Sequence, residues 1–142
     1  MKLKLKLFDA TLPLPAYQTK GAAGFDLYSR ESVTIPPHQV KKVPLNVAVE
    51  LPPGYWALVA ARSSLYKKGV SLANGIGVGD ADYCGDNDEY HAALLNFTDQ
   101  PQAIERGERI VQMIIMPMTQ VEIESVEHLG NQDRGGFGST GK

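Results

Sequence analysis

The sequence predicts an all-β fold in one domain, either a sandwich or a barrel, because three observations agree. Apolar residues recur with a period of two, as where Leu3, Leu5 and Leu7 alternate with lysines. Turn signals such as Pro36-Pro37 and Pro52-Pro53-Gly54 separate short apolar runs. The length of 142 residues suits a single hydrophobic core.

The strands are predicted in chain order from these runs. The first lies within residues 1–7, where the alternating lysines would blunt an exposed sheet edge. The further strand candidates are Phe25–Tyr28, Ser32–Ile35, Val40–Val49, Tyr55–Ala60, Ile76–Val78, Ala92–Phe97, Arg109–Met116 and Val121–Val126.

One short helix is predicted over Ser64–Lys68. Ser63 can cap its start, and Gly69 can adopt the left-handed conformation at its end. The chain from 130 to 142 differs from the rest, since it holds five glycines and little apolar content. We therefore expect a β domain over residues 1–129 and a tail over 130–142 that is mobile unless something orders it.

Composition excludes some classes of function. Acids number 16 and bases 14, so the net charge of −2 argues against a bulk electrostatic grip on nucleic acid. No apolar run approaches the length of a membrane-spanning helix, and we expect no membrane partner. The single Cys84 excludes an intrachain disulfide and fits a reducing compartment. The start of the chain lacks a signal-peptide pattern, so we expect a cytoplasmic protein.

Glycine-rich motifs need their structural context to be interpreted. Gly136, Gly138 and Gly141 formally match G-x-G-x-x-G, but only Lys142 follows, so no dinucleotide-binding helix can form. Such a segment still offers backbone N–H groups and hydroxyls to an anion.

Five segments carry the strongest functional signal, and their order along the chain is more specific than any one of them. They are Ala23-Gly24-Phe25-Asp26-Leu27, Ala61-Arg62-Ser63-Ser64-Leu65, Asn74-Gly75-Ile76-Gly77-Val78-Gly79-Asp80-Ala81-Asp82-Tyr83-Cys84-Gly85, Gly107-Glu108-Arg109-Ile110-Val111-Gln112 and Arg134-Gly135-Gly136-Phe137-Gly138-Ser139-Thr140-Gly141. From about Ala23 to Gly141 the chain resembles the trimeric deoxyuridine triphosphatase (dUTPase) family. The resemblance implies a jelly-roll-like β-barrel, a homotrimer with shared active sites, and hydrolysis of dUTP to dUMP and pyrophosphate.

The resemblance also implies a role for each polar motif residue. Asp80 would be the general base for water attack on the α-phosphate, and Asp26 would meet Mg²⁺ through water, the metal being held mainly by substrate phosphates. The phosphate ligands would be Arg62, Ser63, Ser64, Gln112, Arg134, Gly138, Ser139 and Thr140, which supply the donors and positive charge that a triphosphate needs.

The third motif would recognise the nucleoside. Its glycine-rich stretch Asn74–Gly79 predicts a hairpin. In the family this hairpin binds uracil through its backbone, which here implicates Asn74, Gly77, Val78 and Gly79. Tyr83 would pack under the deoxyribose and exclude a 2′-hydroxyl, while Phe137 would stack over uracil as a lid.

Three departures from the family pattern stand out. Gly79 occupies a position that is usually a branched apolar residue, which could loosen the strand that holds the base. The residues Asp86–Glu89 add about three positions relative to the shorter family form, so either Tyr90 or His91 falls near the substrate, and His91 is the candidate. Arg134 precedes Phe137 by only three residues.

Each role has a structural alternative. Arg62 and Arg134 could be surface ion pairs, Asp26 a buried hydrogen-bonded carboxylate, and Tyr83 ordinary core. Asp80 could cap its own turn through its side chain.

Two other functions stay open at this level. One is a dCTP deaminase-related enzyme, which shares the Arg-Ser-Ser segment but needs a carboxylate on the strand here represented by Ala92–Asn96, where no acid occurs. The other is a dUTP-sensing regulatory protein on the same fold. Gly79 keeps the second possibility open.

Overall fold

The computed structural model describes residues 1–136, and these are almost entirely strands and turns. The strands are β1 Lys4–Leu7, β2 Phe25–Tyr28, β3 Val33–Ile35, β4 Val40–Pro44, β5 Val47–Glu50, β6 Tyr55–Ala61, β7 Val70–Leu72, β8 Gly77–Gly79, β9 His91–Asn96, β10 Gln102–Ile104 and β11 Arg109–Pro117. A 3₁₀ helix spans Leu65–Lys68. Within residues 1–136 no helix is long and apolar enough to cross a membrane.

All strand pairs of the described residues are antiparallel, and they form four small sheets. The largest has the order β2-β11-β6-β8, the next β4-β9-β7, and the pairs β1-β5 and β10-β3 complete the set. The all-β prediction is confirmed. Across the described residues, hydrogen bonding does not close these sheets into one barrel, but the arrangement is consistent with a jelly-roll-like fold.

The core lies between the sheets and is built from alternate positions of the strands. In β9 the buried positions Ala92, Leu94 and Asn96 alternate with more exposed ones. Asn96 is a polar residue in this core, and its amide donates hydrogen bonds to the carbonyl oxygens of Ile35 and Gln100 at 2.9 and 2.7 Å. Its polar atoms are therefore satisfied where water is excluded.

Two strand predictions were wrong in a way the backbone explains. The run Val40–Val49 is not one strand, because Asn46 adopts a left-handed φ of 68° and divides it into β4 and β5. The run Val121–Val126 forms no strand, and Val121 and Ile123 are 75% and 91% exposed.

The helix prediction was right in place but not in detail. The helix begins at Leu65, and Ser64 rather than Ser63 occupies the capping position, without a side-chain capping hydrogen bond. Gly69 has the expected left-handed φ of 71°, and its N–H donates to the carbonyl of Tyr66.

Candidate active site

A cleft of about 460 Å³ opens beside the end of β8 and contains the residue predicted as general base. We call it the Asp80 cleft. Its lining residues are Lys42, Val59, Asn74, Gly77, Val78, Gly79, Asp80, Tyr83, Glu89, Tyr90 and His91. The fold thus gathers in one concavity seven residues that were predicted from the sequence: Asn74, Gly77, Val78, Gly79, Asp80, Tyr83 and His91.

One wall of the cleft is the glycine-rich segment, which is a turn and a strand rather than the predicted hairpin. β7 pairs with β9 and β8 pairs with β6, so the intervening turn passes from one sheet to another. Gly75, with φ of 73°, donates its N–H to the carbonyl of Leu72 at 3.1 Å. At Gly77 an added Cβ would lie 3.1 Å from the Cβ of Val59, so this backbone is packed closely on β6.

Asp80 is exposed and stands directly after β8. Its backbone carbonyl accepts the N–H of Tyr83 at 3.2 Å, which forms the turn. Among residues 1–136 its carboxylate has no hydrogen-bonding or ionic partner. The alternative in which the side chain caps this turn is therefore not what the structure contains, and the carboxylate faces the cleft available to a ligand or water.

Tyr83 is only partly buried, which disagrees with an ordinary core role. Its side chain is 40% exposed, and its hydroxyl donates to the carbonyl of Glu89 at 2.9 Å. Its ring packs edge-to-face on Tyr90, with centroids 5.4 Å apart. Burial, followed by the nearby Asp88 and Glu89 charges, raises the pKa of Tyr83. The phenol is neutral and its orientation is fixed at the edge of the cleft.

Glu89 is a functional neighbour that sequence reasoning missed. It is buried, and Arg30 binds both of its carboxylate oxygens at 2.8 and 3.0 Å. The N–H of Asn46 also donates to it at 3.0 Å, and the paired charge raises the pKa of Arg30. Because this carboxylate is neutralised by its partner, it anchors the end of the Asp86–Glu89 segment and leaves Asp80 as the unpaired acid of the cleft within the described chain.

The segment that follows places both remaining candidates in the cleft. His91 is exposed and its Nδ1 lies 2.8 Å from the carbonyl of Glu89. Tyr90 is buried, and both Tyr90 and His91 line the cleft. Lys42 of β4 also lines this cleft, although it belongs to none of the five sequence motifs.

A second cleft, of about 470 Å³, lies beside the 3₁₀ helix and is basic. We call it the Arg62 cleft, and it is lined by Arg62, Ser64, Leu65, Lys67, Lys68, Gly107, Glu108 and Arg109. Four of these side chains are cationic, and among the lining residues only Glu108, which pairs with Lys68 at 2.5 Å, is anionic. Such a surface suits a polyanion better than the Asp80 cleft does.

Asp26 organises the edge of the Arg62 cleft. It is buried, and its two oxygens lie 3.1 Å from Arg62 Nε and from Arg109 Nη1. Arg62 also donates to the carbonyl of Arg109 at 3.1 Å. Arg62 is thus ion-paired, but with a buried carboxylate of the same candidate site rather than in a surface ion pair. Arg109 was missed, although it lies inside a quoted motif.

The sheet register places Gln112 between the first and second motifs. Gln112 pairs with Asp26 on one side and Ala60 on the other, and its amide donates to the carbonyl of Ala61 at 3.2 Å. Gly24 permits this approach, because a Cβ there would lie 2.9 Å from the carbonyl oxygen of Met113. Close packing against β11 therefore explains the glycine of the first motif.

The donor set around Asp26 fits a magnesium ion that is reached through water. Arg109 donates a hydrogen bond to one oxygen of Asp26, and Arg62 is ion-paired with the other, whereas a carboxylate has about four accepting sites. The remaining sites can accept hydrogen bonds from metal-bound water. Across residues 1–136 no group of three His, Cys, Asp or Glu side chains could hold a metal ion by itself.

The two clefts lie at opposite ends of β6. Asp80 follows Gly79, which pairs with Ala57, whereas Arg62 directly follows the end of the strand. The five residue steps from Ala57 to Arg62 span about 17 Å of extended chain. In the part of the chain from 1 to 136, no residue lines both clefts.

The remaining predicted residues are not gathered into either cleft. Ser63 is exposed beside Ser64, and Arg134 is exposed in the segment after β11. Phe137, Gly138, Ser139 and Thr140 lie outside the described residues. Their predicted roles stay predictions.

Comparison with known proteins decides the family. The dUTPase family model matches residues 10–141. The chain belongs to the dUTPase family. A deoxyuridine 5′-triphosphate nucleotidohydrolase from Nautilia profundicola is 43% identical over 145 aligned positions that cover all of both chains. A Hydrogenobaculum dUTPase is also 43% identical, over 99% of each chain.

Solved dUTPase structures agree with the fold. The dUTPase from Streptococcus mutans superposes with a TM-score of 0.76 at 33% identity, covering 83% of this chain and 98% of that one. The Staphylococcus bacteriophage 80alpha dUTPase, solved with dUPNHPP, has a TM-score of 0.86 at 27% identity, covering 99% of each chain.

Proposed function

We propose that this chain hydrolyses dUTP to dUMP and pyrophosphate, with Asp80 as the general base. The observation that carries the proposal is the unpartnered carboxylate of Asp80 in a cleft formed by the third dUTPase motif. Family membership supports the same reaction. Nothing in the comparisons favours a deaminase or a purely sensing protein.

In the chemical step Asp80 orients a water molecule and takes its proton. The water oxygen bonds to the α-phosphorus, the bond from that phosphorus to the α,β-bridging oxygen breaks, and pyrophosphate leaves. An exposed carboxylate is a weak base, so the rate gain comes from holding the water in line with the leaving group. The position of Asp80 directly after a paired strand supports this role.

Base selection is assigned to the backbone of 77–79 and the side chain of Asn74. Uracil presents an N3–H donor and an O4 acceptor, and cytosine reverses both. A backbone matched to uracil leaves buried groups unpaired with cytosine, which gives strong rejection. The tight contact of Gly77 on Val59 supports a backbone that does not adapt to the wrong base.

The triphosphate is assigned to the residues of the Arg62 cleft. Arg62, Ser63, Ser64 and Gln112 supply donors and charge there, and Arg134, Gly138, Ser139 and Thr140 are proposed to add contacts from the tail of residues 130–142. Asp26 would hold Mg²⁺ through water, and that ion, when bound, neutralises phosphate charge.

A shared active site follows from the distance between the clefts. One nucleotide must meet Asp80 and the basic groups together, yet in one chain these lie at opposite ends of β6. We therefore propose a homotrimer in which a neighbouring chain presents its Arg62 cleft to the Asp80 cleft. The exposed side chains of Val121, Ile123 and Leu129 support association, because a neighbour would cover them.

The assembly proposal predicts a defined mass. Light scattering should give three times the mass of the 15.4 kDa chain, at concentrations where the protein turns over dUTP. A stable monomer with full activity would contradict the shared site.

The activity itself is tested by pyrophosphate release. The chain with Mg²⁺ should release pyrophosphate from dUTP and leave dCTP, dTTP and UTP nearly untouched. Tight binding of dUTP without turnover would instead support a sensor. Deamination of dCTP would place the chain with the related enzymes.

Tyr83→Ala should relax selection of the sugar more than selection of the base. Removal of a ring that is 40% exposed opens space under the sugar, while the backbone of 77–79 still selects the base. The ratio of kcat/KM for dUTP over UTP should fall, and the ratio for dUTP over dCTP should stay high. Tyr83→Phe, which keeps the ring, is the matched control. A parallel fall of both ratios would show that Tyr83 holds the glycine-rich wall instead.

Localisation is proposed from the cysteine content. Cys84 is free and exposed, which supports a reducing compartment such as the cytoplasm.

A further inference from the structure

Gly79 and Tyr90 occupy one space in the wall of the Asp80 cleft. A Cβ added at Gly79 would overlap the Oη of Tyr90 and would lie 2.8 and 2.9 Å from its Cε1 and Cζ. Real Cβ atoms do not approach that closely, so the ring of Tyr90 fills the volume that a side chain at position 79 would fill. Gly79 is itself buried and is the last residue of β8.

Tyr90 is closely packed in this place. It is 6% exposed, and its hydroxyl is buried without a hydrogen-bond partner among residues 1–136. Burial, together with the nearby Tyr83 and Asp80, raises its pKa to about 12. An unpartnered hydroxyl is costly, so packing of the ring must account for its position. The ring of Tyr90 also packs edge-to-face on the ring of Tyr83.

The contact between Gly79 and Tyr90 lies next to Asp80, the proposed catalytic base. Asp80 directly follows Gly79, and a glycine has no side chain with which to fix the end of a strand. The ring of Tyr90, which packs against Gly79, supplies the constraint on the end of the strand instead. The expectation that Gly79 loosens the strand did not take account of Tyr90, which comes eleven positions later and compensates for the missing side chain.

We propose that Tyr90 is a positioning residue for Asp80, and that Gly79 and Tyr90 form a matched pair in which each requires the other. The inference rests on the proposed function, because it assigns Tyr90 to the geometry of the same base. Tyr90 touches no reacting atom in this proposal. It acts through the backbone of Gly79 and through the ring of Tyr83.

A double-mutant cycle tests the pair. Gly79→Ile should overlap the ring and Tyr90→Val should leave a void, so each should lower kcat for dUTP by about tenfold or more. KM should change less than kcat, since neither substitution removes a side chain that is proposed to contact the nucleotide. The double variant exchanges the large and small positions, and its kcat should return to within about threefold of the parent.

Matched controls use the same substitutions where space is open. A Cβ added at Gly21 meets no atom within 4 Å, and Tyr66→Val removes a ring that is 64% exposed, so neither Gly21→Ile nor Tyr66→Val should change kcat. Tyr90→Phe keeps the ring and removes only the unpartnered hydroxyl. Its kcat should stay within about twofold, and its melting temperature should not fall. Gly79→Ala replaces Gly79→Ile if the larger side chain prevents folding.

The outcomes separate this inference from the proposed function. A double variant whose loss equals the product of the two single losses would overturn the pairing. Recovery of the melting temperature without recovery of kcat would overturn the positioning role, as would a tenfold loss of kcat in Tyr90→Phe. If the parent chain releases no pyrophosphate from dUTP, the proposed function fails, whereas melting temperatures of the four proteins still report the pairing.

Discussion

Replacement of Asp80 by Asn should lower kcat for dUTP by about 10²- to 10⁴-fold, the usual effect of losing a general base. The amide keeps the shape of the side chain but cannot accept the proton of the attacking water. Because the Asp80 carboxylate has no partner within the described chain, this substitution breaks no hydrogen bond or ion pair there. The melting temperature and the affinity for dUPNHPP should therefore remain close to those of the parent.

Asp82→Asn is the matched control for this result. Asp82 is an exposed acid two positions further along the chain, and it does not line the Asp80 cleft. Its substitution should leave kcat unchanged. Retention of more than about a tenth of the parent kcat in Asp80→Asn would show that another group takes the proton.

Deletion of the chain from Arg134 onward should abolish most activity and leave the β domain folded. The last strand ends at Pro117, and Arg134 is exposed in the segment beyond it. The deletion removes the phosphate ligands proposed in the tail and also Phe137, so kcat/KM for dUTP should fall by about 10²-fold or more. The melting temperature and the mass in solution should change little, because the core and the exposed apolar segment remain.

A chain that carries Gly and Ser in place of residues 134–142 is the control for length. It should be as inactive as the deletion, since only the side chains were lost. An unchanged rate in either protein would contradict a role of the tail in substrate binding. A large fall in melting temperature would show that the tail supports the fold, and the rate would then carry no information on catalysis.

The strands that could be predicted from the sequence are those with a clear local pattern of residues. The alternation of β9 and the long apolar run of β11 are local patterns, and both strands were found close to their observed bounds. β7 and β10 have three residues each, which is too short for a period of two to be recognised. The break at Asn46 depends on one left-handed residue within a continuous apolar run.

The residues of the candidate site divide in the same way, into those that a local pattern predicts and those that only strand pairing brings to the site. Six residues of the third motif, between Asn74 and Tyr83, are close in sequence, and the fold places them in one cleft. Lys42 and Arg109 reach their clefts through strand pairing, and Glu89 is defined by its contact with Arg30, 59 positions away. Such contacts depend on the register between strands, which composition and spacing do not specify.

The placement of the two clefts at opposite ends of β6 has a consequence for inheritance. In the proposed assembly each site takes Asp80 from one chain and Arg62 from another, so a lesion in either residue alone silences every site. A cell that carries one gene copy damaged at Asp80 and another damaged at Arg62 produces mixed assemblies. In some of them an intact Asp80 cleft meets an intact Arg62 cleft, and two null alleles complement each other.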